Sequence, residues 1–159
     1  MAAGGGGYGG GLFYEDFELG QRWTTLTRTV TETDLVQFIG LSGMFERIFI
    51  DADYVVNHSP YRRRLVPGAL TYAIAEGLTM LLGTLHDTGI AFLGATLTIR
   101  GPVAVGDTLC VEVEVIEKRP TSNPERGLVR TRNRVFNQNG EYVLEYDPLR
   151  LVRRRPAGG

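Results

Sequence analysis

The sequence predicts an α+β domain in which one long helix is wrapped by an antiparallel sheet. Three observations carry this. The stretch "PGALTYAIAEGLTMLLGTL", starting at Pro67, is apolar almost all round, as expected of a helix surrounded by protein rather than lying on a surface. Only strand signals follow it, including the alternation "TLCVEVEVIEK". Strands joined without intervening helices pair antiparallel, and their apolar face must close over something, here the helix.

The elements follow in chain order. "QRWTTLTRTV" is rich in Thr, Trp and Val and reads as a first strand. In "TETDLVQFIGLSG" the period changes. Thr31 or Thr33 can cap a helix, Glu32 and Asp34 favour its N-terminus, Leu35, Phe38 and Ile39 share one face, and Gly40 or Gly43 can end it. The next stretch, to Val66, has no sustained period and holds Pro60. It reads as an irregular crossover with a short helical turn over 51–56. Pro67 suits the first turn of the long helix, where a missing N–H is harmless. Beyond it, "IAFLGATLTIR" is a strand ending at Gly101-Pro102. In "TLCVEVEVIEK", Leu109, Val111, Val113 and Val115 share one face and Glu112 and Glu114 the other. "GLVRTRNRVFNQ" and "EYVLEYDPLRLV" meet across Asn139-Gly140, a hairpin signal.

Composition narrows the function. The 159 residues suit one domain, and a net charge of −1 gives no reason to invoke nucleic acid or a charged membrane surface. Gly and Glu residues interrupt the longest apolar stretch, so it reads as a buried helix and not a membrane span. The single cysteine, Cys110, excludes an internal disulfide framework and fits a reducing cytoplasm; its strand alternation makes it a core or face residue. Residues 1–12, rich in Gly, have no charged or apolar leader pattern and read as a disordered tail, as do 157–159. Residues 13–156 form the domain.

Glu76 is the only fully charged side chain between Arg64 and Asp87, and it stands mid-helix among apolar neighbours. Burying an isolated carboxylate costs several kcal/mol, so it reaches a cavity, stays protonated, or finds a partner such as a buried arginine or backbone. Tyr72 lies one turn before it on the same face. His58 and His86 are the only histidines, and with no Cys or acidic cluster at ligand spacing a metal site is not expected. Arg62–Arg64 and Arg153–Arg155 are either solvated surface or contacts for phosphate groups.

The segments "DLVQFIGLSG", "RLVPGALTYAIAEGL", "FLGATLTIRGPVAVGDTL", "NQNGEYVLE" and "LVRRRP" together resemble the MaoC-like acyl dehydratases, single hot-dog domains related to (R)-specific enoyl-CoA hydratases. The resemblance runs from Phe13 to Pro156, and "GPVAVGDTL" and "PGAL" are its most specific parts. It implies a homodimer acting on coenzyme A or carrier-bound enoyl or 3-hydroxyacyl thioesters, with no metal or other cofactor. It also implies a catalytic loop of the pattern Gly-Asp-x-Asn-Pro-x-His. Here that loop is "SGMFERIFID": Gly43 matches, but Met44 stands at the Asp position, Glu46 at Asn, Arg47 at Pro and Phe49 at His. Neither Met nor Phe can move a proton.

What the resemblance implies for the site is a rebuilt set. Glu76 occupies the position two turns past the helix-start glycine, where the family lines its site. Gly68 offers the backbone oxyanion donor, and Tyr72 and Glu46 assist. Met44, Phe49, Asp51, His58, Pro67 and Leu70 are expected to line the substrate. The expected activity is an acyl-thioester lyase of the hydratase or dehydratase type. The alternatives are isomerisation, cyclisation or thioester hydrolysis in the same cavity, or a non-catalytic binding subunit.

Overall fold

The computed structural model describes residues 10–156. The expected tails at 1–9 and 157–159 lie outside them. Residues 11 and 12 are tied down: their N–H groups donate to the carbonyls of His86 and Thr84. Tyr14 then opens a 3-10 turn, Tyr14–Asp16, with its ring laid on Gly127. A Cβ at Gly127 would stand 2.2 Å from that ring, so only glycine fits.

Among the described residues, eight strands form one antiparallel sheet around the longest helix. The strands are β1 (Arg22–Thr24), β2 (Arg28–Thr29), β3 (Gly89–Gly94), β4 (Leu97–Ile99), β5 (Thr108–Pro120), β6 (Arg126–Phe136), β7 (Tyr142–Tyr146) and β8 (Leu149–Arg153). β5 and β6 are the long central pair. β1 and β2 run along the outer side of β5. β7 and β8 follow each other along β6, and β4 and β3 line them in turn. The inward residues Leu109, Val111, Val113 and Val115 are buried as the alternation predicted.

Three expected strands are each broken in two, and each break has a physical cause. Thr24 pairs with Glu112 and Arg28 with Leu109, so the first strand carries one residue too many and bulges. Thr25 repairs the ladder, its hydroxyl accepting from the Val111 N–H at 2.9 Å. β3 stops at Gly94, whose φ of +150 suits glycine. β7 and β8 part at Asp147-Pro148, where Pro has no ladder donor. The last two breaks are adjacent, joined by the Thr96 N–H on Asp147 Oδ1 at 2.6 Å. They bend the sheet around the helix.

There are four α-helices among the described residues. α1 (Glu32–Ser42) starts at a capping box between Thr31 and Asp34 and ends at Gly43 in the left-handed conformation. The crossover holds two short helices, α2 (Arg47–Ile50) and α3 (Ala52–His58), in place of the single turn expected. The central helix α4 is Gly68–Met80 and so ends earlier than expected. The chain closes there through turns to Gly83, at φ +72. Leu70, Ile74, Ala75 and Leu78 bury one face of α4. Ala69, Ala73 and Gly77 form an exposed stripe, so within one protomer the helix is covered on one side and not all round.

Candidate active site

The start of α4 is fixed by the segment "GPVAVGDTL". Leu65 and Ala104 form a β-bridge, and the Val66 N–H donates to the Val103 carbonyl at 2.9 Å. Asp107 anchors the segment from a wholly buried position, accepting from the Ala104 N–H at 2.9 Å, Arg63 Nη2 at 2.5 Å and Gln138 Nε2 at 3.1 Å. Burial works against its charge, but these three donors outweigh it and hold its carboxyl below the ordinary value.

Pro67 caps α4, and the Leu70 and Thr71 N–H groups both close on its carbonyl. The Gly68 and Ala69 N–H groups therefore stand first in the helix with no acceptor among the described residues. Gly68 opens on a cleft of about 400 Å³, lined also by Ile48, Tyr61, Thr71, Ile99 and Arg100. A Cβ on Gly68 would meet Ile99 Cδ1 at 2.8 Å, so the glycine serves close packing as well as access. Tyr61, Thr71, Ile99 and Arg100 were not among the expected lining residues. They come from three separate elements, and no local spacing marks them.

The loop residues are held in place. Met44 and Phe49 are half-buried, and Phe49 packs on the main core. Arg64 Nη1 donates to the Phe49 carbonyl while its Nε pairs with Glu32 at 3.0 Å, which fastens the loop to α1. Glu46 is exposed and makes no ion pair among the described residues. Asp51 caps α3 through the Tyr54 N–H at 2.9 Å and pairs with Arg47 at 2.9 Å. His58 is exposed and stacks on Tyr54, with ring centroids 5.9 Å apart. Pro67 is buried, and Leu70 points into the core. Of the expected lining residues, the cleft beside Gly68 takes in none.

Of the outcomes open to Glu76, the structure shows an arginine partner. Arg150 Nη2 reaches both carboxylate oxygens, at 2.8 and 2.6 Å, with both side chains largely covered. Thr79 adds a long contact at 3.4 Å. Arg150 comes from β8 and lies over the Phe92 ring at 5.6 Å. Tyr72 sits between Gly68 and Glu76 on the same helix face, its ring edge on Tyr146 at 5.0 Å. Burial and the Glu76 charge push the Tyr72 phenol up from its ordinary value, so it stays a neutral hydroxyl. Cys110 is half-buried and its thiol is likewise pushed up, first by burial and then by Glu112, which argues against a nucleophile. The two arginine runs are largely spent on internal pairs: Arg63 with Asp107, Arg64 with Glu32, Arg154 with Glu15 and Arg155 with Asp16.

Residues 16–137 match the sequence profile of the MaoC like domain. The chain belongs to the MaoC-like domain family. Its architecture is the hot-dog fold, a central helix wrapped by an antiparallel sheet. Among relatives, the 3-hydroxybutyryl-CoA dehydratase of Methylorubrum extorquens is 30% identical over 69% of this chain and 67% of that protein. The (R)-specific enoyl-CoA hydratase of Aeromonas caviae is 28% identical over 82% of this chain and 91% of its own. The crystal structure of the MaoC-like dehydratase from Rhodospirillum rubrum superposes with a TM-score of 0.83 at 30% identity, covering 92% of this chain and 99% of that one. Among the described residues, no helix is long and apolar enough to cross a membrane.

Proposed function

We propose that the chain is an acyl-thioester lyase of the enoyl-CoA hydratase and 3-hydroxyacyl-CoA dehydratase type, acting as a homodimer. The observation that carries this is the free Gly68 N–H at the head of α4, opening on the cleft. A thioester oxygen bound there gains negative charge as the enolate-like state forms, and a helix N-terminus with an unused N–H stabilises it. The names of the relatives support the reaction type.

With Met44 and Phe49 in the loop, proton transfer falls to a set centred on Glu76. Glu76 stands two turns beyond Gly68, about 12 Å along the helix axis. One thioester cannot rest its oxygen on Gly68 and its adjacent Cα–Cβ bond directly against Glu76. Tyr72 is one turn from each, so the proton passes through the Tyr72 hydroxyl with Glu76 behind it. Glu46, unpaired and two positions from cleft-lining Ile48, orients the water that adds to Cβ. On this reading Glu76→Gln and Tyr72→Phe each lower kcat by roughly 10²-fold or more, the usual worth of a proton-transfer group. Unchanged turnover of short enoyl-CoA thioesters by Glu76→Gln would remove Glu76 from the reaction.

A second reading, a thioester-binding subunit without catalysis, is favoured by the hold of Arg150 on both Glu76 oxygens. Acyl-CoA would then stabilise the fold without being converted. Product masses separate the other chemistries: free acid marks hydrolysis, and unchanged mass with altered retention marks rearrangement.

The second copy is proposed to pair along the free edge of β3 and β4. Ile90, Phe92, Leu93, Leu97 and Ile99 are all exposed there, an apolar strand edge of the kind that a partner strand covers.

A further inference from the structure

Tyr146 of β7 is wholly buried, yet its hydroxyl is one of two buried side-chain polar atoms without a hydrogen-bond partner among the described residues. Leaving a buried hydroxyl unmatched costs about 1–3 kcal/mol. Phenylalanine would fill the same space without that cost, so the hydroxyl itself calls for an explanation.

Its surroundings supply one. The Tyr72 ring meets the Tyr146 ring edge-on. Asn133 stands directly opposite on β6; its Oδ1 is already engaged by the Thr131 hydroxyl at 2.7 Å, and its amide NH2 can only donate to the Tyr146 oxygen, so it offers no acceptor for the phenol proton. Glu76 and Thr79 of α4 stand beside the hydroxyl. The Thr79 hydroxyl is within 2.8 Å of the Glu76 carbonyl. Glu76 is the acceptor with capacity left: a carboxylate has about four acceptor sites, and Arg150 reaches it through Nη2 alone. The charged or titratable groups that face Glu76 are therefore Arg150 from β8, Tyr146 from β7 and Tyr72 from α4. Asn133 from β6 and Thr79 carry no charge.

We propose that Tyr146 is a positioning residue for Glu76, its hydroxyl acting with Arg150 as the second donor that aims the carboxylate along the helix toward Tyr72. The inference rests on the reading of Glu76 as the proton-transfer carboxylate. The hydroxyl stands beside the carboxylate without hydrogen-bond geometry here, and rotation of the Glu76 side chain closes the contact. The rigid Tyr146 ring, clamped between Tyr72 and the sheet, sets where the carboxylate comes to rest.

Tyr146→Phe, Glu76→Gln and the double variant test it in the full chain, with a short enoyl-CoA as probe. Tyr146→Phe is expected to lower kcat roughly tenfold to a hundredfold, the worth of a hydrogen bond to a charged group, with KM nearly unchanged. The kcat effect vanishes in the Glu76→Gln background, and the unfolding midpoints of the three variants are non-additive. A kcat loss that persists in Glu76→Gln, or one matched by an equal rise in KM, overturns the proposal, and so do additive unfolding midpoints. If the wild type converts no thioester, the proposed lyase activity fails, and the unfolding cycle alone still decides whether Tyr146 holds Glu76.

Discussion

Gly68 is the first helical residue of α4, a position where proline is tolerated because its N–H has no intrahelical partner. Gly68→Pro therefore removes the oxyanion donor without breaking the helix, and Ile99→Ala alongside it clears the contact at 2.8 Å. The pair should lose about 10²–10³-fold in kcat relative to Ile99→Ala alone, as loss of one oxyanion donor does. Circular dichroism should show the helix content kept. Equal rates in the two variants would mean the thioester does not rest on this N–H. Glu76 was legible as a lone charge in an apolar helix, and a partner was one of the outcomes that such a charge allows. The identity of that partner was not: Arg150 is 74 positions away and is brought in by the pairing of β8 with β6. The Tyr146 hydroxyl was equally hidden, since its residue type suits any strand.

At the scale of elements, the turn around Asp107 decides where α4 begins. Asp107→Asn should cost about 1–3 kcal/mol in denaturant unfolding at neutral pH, because Arg63 and the Ala104 N–H lose a charged acceptor. Its folded carboxyl titrates below the ordinary value. The stabilisation is therefore complete above the unfolded value of about 4 and fades as pH falls through the lower folded one. Wild type should lose stability over that acid range more steeply than Asp107→Asn, and parallel curves would show that the carboxylate adds nothing. α1 was read closely: the sequence offered two candidates at each end, and the structure uses Thr31 and Gly43. The strand breaks were not, because a bulge comes from a mismatch with the partner strand and the bend at Gly94 and Pro148 from two segments kinking side by side. The turn expected over 51–56 is α3, while α2 escaped notice because four residues are too few to set up a period.

For the whole molecule, the apolar edge of β3 and β4 and the bare stripe on α4 are the features one protomer leaves unfinished. Leu93→Lys puts a charge on that edge at a position 53% exposed in the single chain, so the folded protomer should tolerate it. Sedimentation should show a dimer for the wild type and a monomer for the variant, and thioester turnover should fall with it. A dimer of unchanged strength would move the interface elsewhere. The fold as a whole was legible because an apolar helix followed only by strands has few ways to bury itself. The open side of that helix was not, since a sequence apolar almost all round does not say which face its own sheet leaves bare.

The most direct test of the central claim follows a short enoyl-CoA thioester by mass spectrometry in the presence of wild type and Glu76→Gln. The predicted result is an intact thioester that gains one water, formed at least about 10²-fold more slowly by Glu76→Gln. Free acid as product, or an equal rate in the two proteins, would contradict it.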